Sequence, residues 1–91
     1  VVEEGELPFA IRRVYYLFDV PLGAVRGEHG HKTLQQIFLC FHGICDVVLN
    51  DGTTQSHFTL DSPAKMLYVP AGMWRRLNFR APGTVCCVLA S

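Results

Sequence analysis

Short apolar runs rich in Val, Ile, Phe, Tyr and Leu recur along the chain, each closed by Gly, Pro, Asn or Asp at intervals of about ten residues. This is the pattern of an all-β protein. It predicts strands at Arg13–Asp19, Gln36–Phe41, Cys45–Asn50, Gln55–Leu60, Met66–Val69, Trp74–Phe79 and Thr84–Ala90, and no helix. Asn50-Asp51-Gly52 lies between two of these runs and carries residue types that tolerate the positive φ of a tight hairpin turn. His42-Gly43 and Ala81-Pro82-Gly83 mark two further turns, and Pro63 and Pro70, which lack a backbone donor, belong at strand ends. Seven short antiparallel strands imply a β-sandwich or a small barrel.

Composition narrows the class. With 91 residues the chain has room for one domain, and 49% hydrophobic against 18% charged residues excludes intrinsic disorder. Eight basic and eight acidic residues cancel, and no basic stripe is present, so a nucleic-acid partner is not expected. The apolar run from Ile37 to Cys45 is broken by His42-Gly43 and is far shorter than the ~20 residues that span a bilayer, so no membrane association is expected. The opening Val1-Val2-Glu3-Glu4 has no basic region followed by an apolar one, and a cytoplasmic location is expected. On that basis Cys40, Cys45, Cys86 and Cys87 are expected to be buried and reduced, with the adjacent Cys86 and Cys87 on opposite faces of a strand.

The chemistry concentrates in Arg26-Gly27-Glu28-His29-Gly30-His31-Lys32. In an extended chain residues two apart share a face, so His29 and His31 project together. Such a pair can ligate a metal, transfer protons near neutral pH, or simply be two polar residues on a strand.

The spacing Gly23, His29, His31, Gln36, Gly43 resembles the first motif of the cupin superfamily, and Pro70-Ala71-Gly72-Met73-Trp74-Arg75 resembles the second. Gln36 stands where the motif has glutamate and Arg75 where it has the third histidine. A neutral amide and a permanent cation are poor replacements for metal ligands, so no metal is expected. More specifically, Pro8–Tyr16, Arg26–Lys32 and Leu67–Pro70 with Trp74 resemble the metal-free cupins of the WxcM-like, nucleotide-sugar 3,4-ketoisomerase family, with Gly30 where the family usually has Ala. The likeness covers nearly the whole chain. It implies a single domain over residues 1–91, shortened at both ends relative to the family, with a cupin-type antiparallel β-barrel of jelly-roll kind.

The resemblance implies an isomerase that moves the keto group of a thymidine-diphosphate 4-keto-6-deoxyhexose from carbon 4 to carbon 3 by histidine-mediated proton transfer, with no cofactor. It makes His31 the principal base and His29 its relaying or orienting partner. Arg26 is expected to bind the diphosphate or the developing oxyanion through its planar fork of donors. Arg75 is chosen over Arg76 as the inward-facing cation. Tyr16 is favoured over Tyr15 as a sugar ligand because it shares a face with Val14 and Phe18, which are expected to look inward; a packed core tyrosine is the other reading. Trp74 either stacks on the nucleotide base or packs. Lys32, His42 and His57 are expected at the surface. The rival class is a non-catalytic cupin that binds a sugar or other small ligand, and a metal-dependent oxygenase is disfavoured by Gln36 and Arg75. A homodimer is expected, with strands possibly exchanged, because a small β-domain leaves edges to cover.

Overall fold

The computed structural model describes residues 7–18 and 34–91, together with the backbone of Val25–Gly30. Eight strands follow one another: β1 Arg13–Leu17, β2 Val25–Gly30, β3 Gln36–His42, β4 Cys45–Asn50, β5 Gln55–Leu60, β6 Met66–Val69, β7 Trp74–Phe79 and β8 Val85–Ala90. They form two four-stranded antiparallel sheets, ordered β1-β8-β3-β6 and β2-β7-β4-β5, which is the strand order of a jelly roll. The two sheets face each other as a sandwich and do not share a hydrogen-bonded seam among the described residues, so the barrel expected from the sequence is an open one. The strand missing from the sequence reading is β2. It lacks a clean apolar–polar alternation, and its pairing with β7 supplies its order.

Alternation along each strand divides the apolar residues. Phe38 and Cys40 of β3, Cys86 and Val88 of β8, and Val69 of β6 meet Cys45, Val47 and Leu49 of β4 with Leu77 and Phe79 of β7, forming the core between the sheets. Ile37, Leu39 and Cys87 face the other way and are covered by Leu7, Phe9 and Leu89, so the segment before β1 lies as a strap on the outside of the first sheet. Phe9 reaches Tyr68, with ring centroids 6.4 Å apart.

The turns are built as the sequence requires. Asp51 accepts from Thr53 N at 2.9 Å and Thr54 N at 2.7 Å, Asn50 Oδ1 accepts from Gly52 N at 2.7 Å, and Gly52 takes φ +101°, closing β4 onto β5. The β3–β4 turn depends on Gly43 at φ +84°, where a Cβ would lie 2.2 Å from Thr84 Oγ1. That hydroxyl donates to Ala81 O at 2.6 Å and accepts from Ile44 N at 3.2 Å, tying together the turns at one end of the sandwich.

Candidate functional site

Arg75, 1% exposed, is the largest fully buried side chain among the described residues. Alternation along β7 puts it on the same side as Leu77 and Phe79, inside the sandwich, as the sequence reading expected. Its Nη1 donates to Gln36 Oε1 and its Nη2 to Met73 O at 2.8 Å. Nε finds no acceptor among the described residues. No carboxylate faces the guanidinium there, and burial pulls its pKa down, opposed by Tyr15.

The polarity of this network follows from the arginine. A guanidinium can only donate, so the Gln36 amide presents its oxygen to Arg75 and its nitrogen to the next group. That group is Tyr15, whose hydroxyl accepts from Gln36 Nε2 at 3.0 Å. The Tyr15 O–H is left to donate to something other than Gln36. Burial raises the phenol pKa, with the Gln36 hydrogen bond and the Arg75 charge drawing it back. The result is a chain of donors, Arg75 Nε and Tyr15 O–H, at one end of an apolar interior. Tyr15 is 40% exposed, so of the two the Arg75 Nε lies in the poorly solvated place where a donor binds anionic oxygen strongly.

Here the expectation that Val14, Tyr16 and Phe18 look inward is corrected. Val14, Tyr16 and Phe18 are 52%, 54% and 61% exposed, and Tyr16 packs against Phe41 on the outside of the first sheet. Tyr15 is the tyrosine that reaches the buried network. Trp74 likewise lies on the opposite face of β7 from Arg75, with the Arg76 guanidinium 5.8 Å from its ring centroid, so it does not share Arg75's interior space.

The histidine segment is only partly visible. His31 and Lys32 lie outside the described residues, and Arg26 and His29 are described by backbone alone. Their register is informative. His29 pairs with Arg75 and Arg26 with Leu77, so two steps along β7 match three along β2, and the extra residue forms a bulge at Gly27-Glu28. In a regular strand positions 26 and 29 would fall on opposite faces; the bulge sets both opposite interior residues of β7. Sequence spacing alone gave no sign of it.

The remaining histidines are exposed, as expected. His42 donates through Nδ1 to Gly83 O or stands within 3.0 Å of it according to its tautomer, and His57 Nε2 lies 3.7 Å from Asp46, which also holds Arg80 at 3.3 Å and accepts from Thr59 at 3.0 Å. All four cysteines are buried free thiols, and burial raises the pKa of Cys40, Cys86 and Cys87.

A cupin metal would need the positions of Gln36 and Arg75 as ligands. Those two side chains are bonded to each other, and a guanidinium has no lone pair to give a cation. The donor set does not fit a metal.

A jelly-roll sandwich with a buried arginine–glutamine–tyrosine network at the cupin ligand position defines a cupin whose site is organised around cationic and neutral donors. The chain belongs to the family described as FdtA: WxcM-like, C-terminal, which matches residues 1–91. It is 43% identical over 91 residues to the TDP-4-oxo-6-deoxy-alpha-D-glucose-3,4-oxoisomerase of Aneurinibacillus thermoaerophilus, covering the whole of this chain and 66% of that protein. Among solved structures it is similar to a 3,4-ketoisomerase from Helicobacter canadensis, with TM-score 0.94 and 36% identity, covering 100% of this chain and 69% of the other. It is also similar to a histidine-to-asparagine variant of the 3,4-ketoisomerase QdtA from Thermoanaerobacterium thermosaccharolyticum in complex with TDP-4-keto-6-deoxyglucose, with TM-score 0.94, 33% identity, and coverage of 100% and 67%. The chain thus spans about two thirds of the length of these relatives.

Proposed function

We propose that this chain is a sugar-nucleotide 3,4-ketoisomerase acting on a thymidine-diphosphate 4-keto-6-deoxyhexose without a metal. The observation that carries the reading is the buried network Arg75–Gln36–Tyr15, which offers donors where a cupin would hold its metal. The relatives' shared activity supplies the substrate class.

In this mechanism a histidine of the pair removes the proton from carbon 3. The electron pair of that C–H bond forms the carbon 3–carbon 4 double bond, and the carbonyl π electrons move onto the oxygen at carbon 4. Arg75 Nε and Tyr15 O–H meet the developing oxyanion, at the moment when such donors contribute most. The proton taken from carbon 3 is then delivered to carbon 4, the hydroxyl at carbon 3 gives up its proton and the oxygen at carbon 4 takes one up, leaving the ketone at carbon 3 and a hydroxyl at carbon 4. Nothing is oxidised or reduced overall, so no redox cofactor enters. His31 is the base and His29 the relaying partner; Arg26 holds the diphosphate. Tyr15 replaces Tyr16 as the phenol of the site, and Trp74 keeps a packing role beside Arg76. The nucleotide-linked substrate suits a cytoplasmic enzyme, and the active form is a homodimer.

Proton NMR of TDP-4-keto-6-deoxyglucose in deuterated water tests this directly. Exchange at carbon 3 and growth of a 3-keto product are expected, and His31→Asn should abolish both while His29→Asn slows them. If the histidine effects are reversed, the base is His29. Neither exchange nor product from the folded protein, together with retained sugar-nucleotide binding, would replace the isomerase by a binding protein.

A further inference from the structure

The end of the sandwich that holds Gln36 has a second guanidinium at its rim. Direct pairing across the first sheet aligns Arg13 of β1 with Ala90 of β8 and Gln36 of β3 in one row. Residues paired in this way project to the same side, and Ala90 and Gln36, both buried, look inward. Arg13 therefore leaves the strand on the interior side, as does Tyr15 two residues further along β1. It begins an edge strand, in the end row of the sheet, and is exposed. Arg12 extends that strand through its N–H to Ala90 O and by alternation takes the outer side. No carboxylate pairs with Arg13 among the described residues, whose acids, Asp46, Asp51 and Asp61, lie on β4 and in the turns that flank β5. Burial raises the Tyr15 pKa, and the Gln36 hydrogen bond and the charges of Arg75 and Arg13 oppose it, so both cations act on the same phenol.

We propose that Arg13 holds a phosphoryl group of the sugar nucleotide at the edge of the sandwich, with the sugar lying inward of it toward Tyr15 and Arg75; this rests on the isomerase reading above. The donors run from the interior outward. Arg75 is buried between the sheets, whereas Tyr15 and Arg13 are exposed on the edge strand. A nucleotide sugar has the same gradient: its keto sugar is neutral and tolerates burial, and its diphosphate is charged and has to stay near water. An arginine at the rim offers that group a planar fork of donors without removing it from solvent. Arg26, the other arginine given to the diphosphate, belongs to β2, the edge strand of the second sheet. A diphosphate has two phosphoryl groups to be held, and the two arginines come from different sheets.

Calorimetric titration with thymidine diphosphate tests this without catalysis, with circular dichroism to confirm that each variant is folded. Arg13→Gln should weaken thymidine diphosphate binding by about 10-fold or more, the effect of losing a charge-assisted pair. Arg13→Lys should recover part of that loss, and Arg12→Gln, on the outer side, should stay within about twofold of wild type. In turnover of TDP-4-keto-6-deoxyglucose, Arg13→Gln should raise KM and leave kcat nearly unchanged, because a phosphoryl contact is the same in the ground and transition states. Binding by Arg13→Gln as tight as wild type, or a loss in Arg12→Gln as large as in Arg13→Gln, would overturn the role of Arg13 and leave the isomerase reading standing. A fall in kcat at unchanged KM would also overturn it, moving Arg13 from binding to the chemical step. A folded wild-type chain that takes up no thymidine diphosphate would overturn the sugar-nucleotide reading itself, and the role of Arg13 with it.

Discussion

Gln36 and Cys40 stand on one strand and face one interior, about 13 Å apart, but their surroundings follow opposite rules. Around Cys40 the sandwich is a conventional core: Cys45, Cys86, Phe79 and Leu60 are at most 3% exposed, and the polar backbone groups are taken up in the ladders and turns. Around Gln36 the same interior admits a guanidinium with no carboxylate beside it among the described residues, and a donor left without an acceptor. Burying such a charge costs several kcal/mol. The first end holds the fold together; the second gives up stability to keep a buried cation and its donors, a departure of the kind found at functional sites rather than in cores.

Truncation at the two ends should separate these roles. Phe79→Ala removes a fully buried ring from the apolar end and should cost about 3–5 kcal/mol of stability, read by denaturant unfolding, with little effect on turnover per folded molecule. Arg75→Met should do the reverse. Turnover should fall by about 10²–10³-fold, the loss seen when a donor to a developing oxyanion is removed, while the thermal midpoint holds or rises because a buried cation is gone. A large stability loss at Arg75 with normal turnover would erase the contrast.

Alkaline pH should produce the smallest effect, and mainly from the apolar end. Cys40, Cys86 and Cys87 have pKa values raised above the ordinary thiol value of 9.0, and Tyr15 is raised above 10.0. Above about pH 9 the unfolded chain therefore releases protons that the folded chain keeps, and stability falls as pH rises. Thermal unfolding in the presence of a reductant should show a midpoint that is level near neutrality and declines from about pH 9. Cys86→Ala should flatten part of that decline.

The apolar end was legible in the sequence and the polar end only in part. Strands β4, β5 and β7 fall where alternation put them, because their outward positions include polar residues: Asp46, Asn50, His57, Thr59, Arg76 and Asn78 leave only one face for the core. Arg75 was chosen as the inward cation from its place in the motif, where the third histidine would stand, and the alternation of β7 agrees. Alternation failed for β1, where Val14, Tyr16 and Phe18 looked like a core face because the outside of that sheet is itself apolar. Hydrophobicity cannot choose between two apolar faces; only the register with β8 and β3 assigns Tyr15 to the interior. Gln36 was noticed through motif spacing as a lost ligand, whereas its part as the hinge between Arg75 and Tyr15 depends on three strands meeting. The bulge that brings Arg26 and His29 into register with interior residues is a property of the β2–β7 pair and has no local signature.

The strand order also dictates how the chain can fold. Of the six pairings among the described residues, β4 with β5 alone joins neighbours in sequence, and its turn is already specified by Asn50, Asp51 and Gly52. Every other pairing must first close a long loop, which slows folding relative to a protein of local contacts. β8 is needed twice, between β1 and β3, so during synthesis the first sheet stays open until β8 has emerged. Until then β1 and β3 present unpaired edges and an apolar face to the cell, and the β4–β5 hairpin is the piece of structure able to form ahead of the rest.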